Sequence, residues 1–151
     1  MPNWCANYLT FMGSQEEIDK LRDYVSRTET TEKGPVFYPF SFEAILPCPP
    51  ELHQHNAPQI DTDLGKQFIE KYGASDWYQW QVNNWGTKWD SSNSYLDYHD
   101  EESAYWYFST AWCPPEGIYQ ELASRFPNLS ISWFYDEPGM QIAGYLNNPN
   151  N

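Results

Sequence analysis

A chain of 151 residues is long enough to bury roughly two thirds of its unfolded surface around one core, without disulfide or metal support. Eight basic against 21 acidic residues give a formal net charge of −13, which disfavours direct nucleic-acid binding, because gripping phosphates needs lysine and arginine to displace counterions. Eight tryptophans, 12 tyrosines and eight phenylalanines accompany that charge, so the surface is expected to combine aromatic area with carboxylates.

In chain order, residues 3 to 12 are rich in Trp, Tyr, Leu, Thr and Phe and stop at Gly13, which predicts a strand. Ser14 opens a capping box with Glu17, and Ile18, Leu21 and Val25 recur at helical spacing, predicting a helix to about Arg27. Residues 28 to 34 are polar, and the prolines at 35, 39, 47, 49, 50 and 58 forbid a long regular element beyond a short strand at 42 to 46. This stretch is expected to be an excursion from the core. Leu64, Phe68, Ile69 and Tyr72 share one face of a helix that Gly73 can end, and a further helical turn runs from Asp76 to Val82. Residues 95 to 98 and 103 to 110 predict a hairpin around the turn Asp100-Glu101-Glu102, its second strand central. Pro115 stands where a helix can start, with Ile118, Leu122 and Phe126 on one face. Alternation from Leu129 to Tyr135, a turn at 136 to 139 and a run from Met140 to Tyr145 give two last strands. The order predicts an α+β split β-α-β layout, with two main helices on one face and an extra C-terminal strand. The whole chain, residues 1 to 151, is expected to form one domain, interrupted by a long aromatic and proline-rich insertion at 28 to 92.

Cys5, Cys48 and Cys113 are odd in number and form no CxxC pair, which suits reduced thiols in a cytoplasmic protein. The N-terminus has no leader pattern, and no window nears the roughly 18 apolar residues of a membrane span.

Separated blocks agree with one family: Met1-Pro2-Asn3-Trp4-Cys5, Ile45-Leu46-Pro47-Cys48-Pro49, Asn84-Trp85-Gly86-Thr87-Lys88-Trp89-Asp90, Phe108-Ser109-Thr110-Ala111-Trp112-Cys113-Pro114-Pro115, and Gly144-Tyr145. Together they resemble the YubB-like proteins of plasmids, phages and genomic islands, whose C-terminal part is described as ferredoxin-like. The resemblance implies a ferredoxin-like α+β fold and residence on mobile elements, and brings no established activity with it. Three scattered cysteines offer no iron–sulfur ligation pattern, so no cofactor is expected.

Trp85, Trp89 and Trp112 could make an aromatic platform with Lys88 beside it, or they could bury the insertion against the sheet. Asp97, Asp100, Glu101 and Glu102 gather near the predicted hairpin turn, where carboxylates are more often solvated than catalytic. His53-x-His55 with Asp61 and Asp63 lacks a fixed third metal ligand, His99 sits in the acidic turn, and Pro2 most simply starts a strand. No catalytic or metal-ligating residue is therefore assigned. The leading expectation is a non-enzymatic acidic binding protein of a phage or plasmid. It would occupy the basic surface of a defence-related, nucleic-acid-binding host protein, as anti-restriction or anti-CRISPR proteins do, through Trp85, Lys88, Trp89, Asp97, Asp100, Glu101 and Glu102. The alternatives are a small-molecule or enzymatic pocket where the Trp85/Lys88 insertion meets the sheet, and a homo-oligomer joined through exposed tryptophans.

Overall fold

A computed structural model of the chain describes residues 2–54 and 62–147. His55 and Asp61, half of the metal-capable set weighed above, lie outside the described residues.

β1 (Trp4–Met12) alternates strictly: Cys5, Asn7, Leu9 and Phe11 are buried, while Trp4, Tyr8 and Met12 point to the opposite, open side. α1 (Gln15–Val25) starts where Ser14 accepts a hydrogen bond from the Glu17 amide at 3.2 Å, and it buries Ile18, Leu21 and Val25. After the inserted segment come β4 (Ser92–His99), β5 (Ser103–Ala111), α5 (Glu116–Arg125), β6 (Ser130–Glu137) and β7 (Ile142–Tyr145). The five strands form one antiparallel sheet in the order β4-β5-β1-β6-β7. With β7 set aside, this is the ferredoxin-like split β-α-β arrangement: each main helix connects two strands that have a third between them.

The segment between α1 and β4 departs from expectation in three ways. Residues Arg27–Thr31 (β2) and Gly34–Tyr38 (β3) pair as a separate hairpin closed by Glu32 and Lys33, with Gly34 in the left-handed region at φ 112°. Its residues are half-buried or exposed, so it lacks the buried alternation that marks a strand in sequence. The strand expected at 42 to 46 is instead a short helix, α2 (Phe42–Ile45): the Ser41 hydroxyl and the Asp90 carboxylate accept its leading amides, a local gain that outweighs β-propensity. Nor is this segment an excursion from the core. Phe40, Phe42 and Leu52 are fully buried in the main hydrophobic cluster with Leu9, Phe108 and Trp133. Phe40 stacks on Phe108 at 4.8 Å between centroids and meets Trp106 and Trp133 edge-on.

α3 (Asp63–Tyr72) ends on Gly73 in the left-handed region, and α4 (Trp77–Trp85) begins on Asp76, whose carboxylate accepts from the Gln79 amide. α4 crosses α5 closely: a Cβ on Gly117 would lie 1.9 Å from the Asn84 carbonyl oxygen, so glycine is required there. β6 runs two residues further than its alternation suggested, through Asp136 to Glu137. The buried Glu137 carboxylate closes the turn to β7 by accepting from the amides of Gly139 and Met140.

Candidate functional site

The segment from Trp85 to Asp90 is mostly a structural latch. Trp85 is 1% exposed; its indole donates to the Leu46 carbonyl at 2.8 Å and packs against Phe42 and Trp80. Gly86 caps α4 at φ 90°, where an added Cβ would sit 2.8 Å from the Glu116 amide nitrogen. The buried Thr87 hydroxyl donates to the Ala111 carbonyl at the end of β5. The Asp90 carboxylate accepts from the Ser41 hydroxyl and from the amides of Phe42, Glu43 and Ser91. Trp85 therefore cannot touch a partner in this fold, which corrects its place among the contact residues. The reason is hydrophobic: this ring closes the inserted segment onto the core.

Lys88 and Trp89 are what the latch leaves at the surface. Trp89 is 40% exposed, Lys88 Nζ lies 4.2 Å above its ring, and Trp4 packs on it at 6.2 Å between centroids. Trp112, 41% exposed, follows Ala111, the register partner of Trp4, and holds a left-handed φ of 71°. That backbone region is costly for a bulky side chain.

Asp97, Asp100, Glu101 and Glu102 are all exposed on β4 and its turn into β5. Asp100 fixes the turn by accepting from the Glu102 amide and from the hydroxyls of Ser103 and Tyr98, and these bonds lower its pKa below the usual carboxylate range. Glu102 adjoins Ser103, which pairs with Met12, whereas Trp89 leans on Trp4 at the other end of β1. Eight residue steps of antiparallel strand separate those ends by about 27 Å. The indoles and the acidic turn thus do not form one compact patch; the open face of the sheet runs between them.

That open face holds what the sequence did not reveal. Tyr95 pairs with Tyr107, Tyr107 with Tyr8, Tyr8 with Phe134, and Phe134 with Tyr145, one ring from every strand in a single line across the sheet. Successive centroids lie 5.2, 5.2, 6.1 and 5.2 Å apart. Beside this ladder, Tyr98 and Tyr105 pair at 5.4 Å. Tyr8 and Tyr145 are 50% and 62% exposed. Asp136 faces the same way, opposite Ala6; burial, then Tyr107, Asp136 and Tyr95, raise the Tyr8 pKa, so Tyr8 stays a neutral hydroxyl at physiological pH. Only the register of all five strands brings these rings together. The one local signal was Tyr105-x-Tyr107 alternating with the buried Trp106 and Phe108.

The remaining candidates are dispersed. His53 stacks on Trp77 at 6.4 Å, and His99 stands 3.5 Å from Arg22. Burial pushes the Cys5 thiol up to about 11 and the Cys48 thiol to about 12, and raises that of Cys113. All three are free thiols, and none is poised as a nucleophile. Among the described residues, no group of three metal-capable side chains converges, and no helix is long and apolar enough to cross a membrane.

Sheet order and helix placement define an α+β protein with a ferredoxin-like sheet. Residues 84–149, less than half of the chain, match the family model described as the ferredoxin-like domain in Api92-like protein. The chain is also similar in fold to the crystal structure of protein Api92 from Yersinia pseudotuberculosis, with a TM-score of 0.60 over 96% of this chain and 93% of that chain. At 11% identity that likeness is one of fold alone. No curated protein matches the sequence.

Proposed function

We propose that the protein is a non-enzymatic acidic binding protein that acts by covering the basic surface of a partner protein. The observation that carries this reading is the imbalance of its surface charge. Lys20, Arg27, Lys71 and Arg125 are already engaged with the protein's own glutamates. Asp97, Asp100, Glu101 and Glu102 face solvent and, among the described residues, take part in no ion pair. Within a net charge of −13, such carboxylates speed encounter with a cationic surface, and exposed rings slow release. Trp89 and the open sheet face supply those rings, with Lys88 held on Trp89 rather than free. The resemblance to YubB-like proteins of phages and plasmids points to a bacterial host partner in the cytoplasm, a nuclease or other nucleic-acid-binding defence protein, in the manner of anti-restriction or anti-CRISPR proteins.

The test is capture of host proteins from a lysate on the immobilised protein. Proteins with basic nucleic-acid-binding grooves should be retained at low salt and released near about 1 M salt, where the Debye length falls to about 3 Å. The variant carrying Asp97→Asn, Asp100→Asn, Glu101→Gln and Glu102→Gln should retain far less. Retention indifferent to both salt and neutralisation contradicts the proposal.

A second reading is favoured by a hollow of about 460 Å³ at the inserted segment, lined by Arg27, Glu43, His53, Trp77, Trp85 and Trp89. Burial raises the pKa of Glu43 there, and aromatic walls with a few polar groups suit a small-molecule contact. A metabolite that stabilises the wild type but not Trp89→Ala against heat supports this reading, and screening that finds none removes it.

A further inference from the structure

We infer that the ladder Tyr95-Tyr107-Tyr8-Phe134-Tyr145 is a stacking site for arginine side chains of an extended, arginine-rich segment of the partner. This rests on the proposed role as an acidic binding protein and names the chemistry of its contact. Three observations select that occupant.

The first is geometric. Five rings in consecutive cross-strand register give one continuous aromatic strip, with centroids 5.2 to 6.1 Å apart. Alternate side chains of an extended segment recur about 6.6 Å apart, close to that spacing. A guanidinium is planar and more weakly hydrated than an ammonium, so it stacks flat on a ring face at a lower desolvation cost.

The second is the behaviour of the molecule's other surface rings. Arg27 lies 4.2 Å over Tyr38, Arg125 4.6 Å over Tyr24, Lys71 5.0 Å over Tyr72 and Lys88 4.2 Å over Trp89. Among the described residues, no cation lies over any ring of the ladder. This five-ring strip at the surface is therefore left without a cation of its own among the described residues.

The third is charge. Asp136 stands on the same face opposite Ala6, and Asp100 accepts from the Tyr98 hydroxyl at the ladder's flank. With a net charge of −13, the face repels phosphates and also a second copy of itself, whereas both the rings and the carboxylates attract guanidinium.

The experiment compares two peptides of equal length and charge, ten arginines and ten lysines, titrated at low salt into the wild type and into the double variant Tyr8→Leu, Tyr107→Leu. Leucine keeps an apolar side chain on the strand and removes the π face. The wild type is expected to bind the arginine peptide at least about tenfold tighter than the lysine peptide. The double variant should lose that preference while keeping its lysine-peptide affinity. Ring-proton shifts of Tyr8 and Tyr107 on adding the arginine peptide to the wild type provide a readout that does not depend on the variant folding. Equal affinity for both peptides overturns the inference and leaves charge-driven binding standing; failure of both peptides to bind overturns both. Tight binding of a single-stranded oligonucleotide, or a dimer in solution that the double variant dissociates, also overturns the inference.

Discussion

The two faces of the sheet are both built from aromatic rings, yet they do opposite things. On the covered face Trp106, Phe108 and Trp133 meet Phe40 from the inserted segment, Phe108 also meets Phe42, and Phe11 meets Trp106, mostly edge to face, and nearly all are excluded from water. On the open face four of the five ladder rings are tyrosines, and three of these, Tyr8, Tyr95 and Tyr145, are about half exposed or more. The difference teaches that aromatic content by itself does not separate a core from an exposed face. The hydroxyl does much of the sorting: a ring with one polar end tolerates water at that end and still offers a face for stacking. Strand alternation then carries the two sets to opposite sides, so that Trp106 and Tyr107, neighbours in sequence, serve different purposes.

That division breaks first under core truncation. Phe108→Ala or Trp133→Ala, each removing a fully buried ring, should cost about 3–5 kcal/mol in urea denaturation. Next comes the latch. Asp90→Ala leaves the amides of Phe42 and Glu43 without their acceptor and should cost about 1–3 kcal/mol, with Asp90→Asn recovering part of it. A smaller effect follows from pH. The Cys5 and Cys48 thiols have pKa values raised to about 11 and about 12, above their unfolded value near about 8.5. Their contribution is therefore complete below the unfolded pKa and is lost as pH rises toward the folded values. The urea midpoint should fall between about pH 9 and 11, and less so in Cys48→Ala. The smallest change in stability belongs to the ladder. Tyr8→Leu should cost about 1 kcal/mol or less in urea denaturation, because its ring is half exposed. Its effect should appear in binding instead.

The sequence made β1, α1, β5 and α5 readable because periodicity, caps and burial agree there. Ser14 caps where expected, and Ile18, Leu21 and Val25 are all buried. It concealed the hairpin of residues 27 to 38, whose exposed pairs have no apolar alternation. It also concealed α2, whose capping carboxylate lies 48 residues away from the amide it accepts. For the site, the sequence left open whether Trp85 and Trp89 are platform or core; the fold divides them, with Trp85 buried and Trp89 exposed, and the four carboxylates face solvent. Trp85 and Trp89 look alike in sequence, but Trp85 ends a helix that packs on α5 and points its ring at Phe42, and Trp89 follows the turn after it. Tyr8, Tyr95, Phe134 and Tyr145 escaped notice because each is unremarkable alone and only strand register aligns them.

Hydroxyl-radical footprinting of the protein, alone and saturated with the arginine peptide, tests the account most directly. The account predicts protection of Tyr8, Tyr95 and Tyr145 on binding, with Trp85 and Phe108 unmodified in both samples. Unchanged labelling of those tyrosines in the saturated sample, or modification of Trp85 in the free protein, would contradict it.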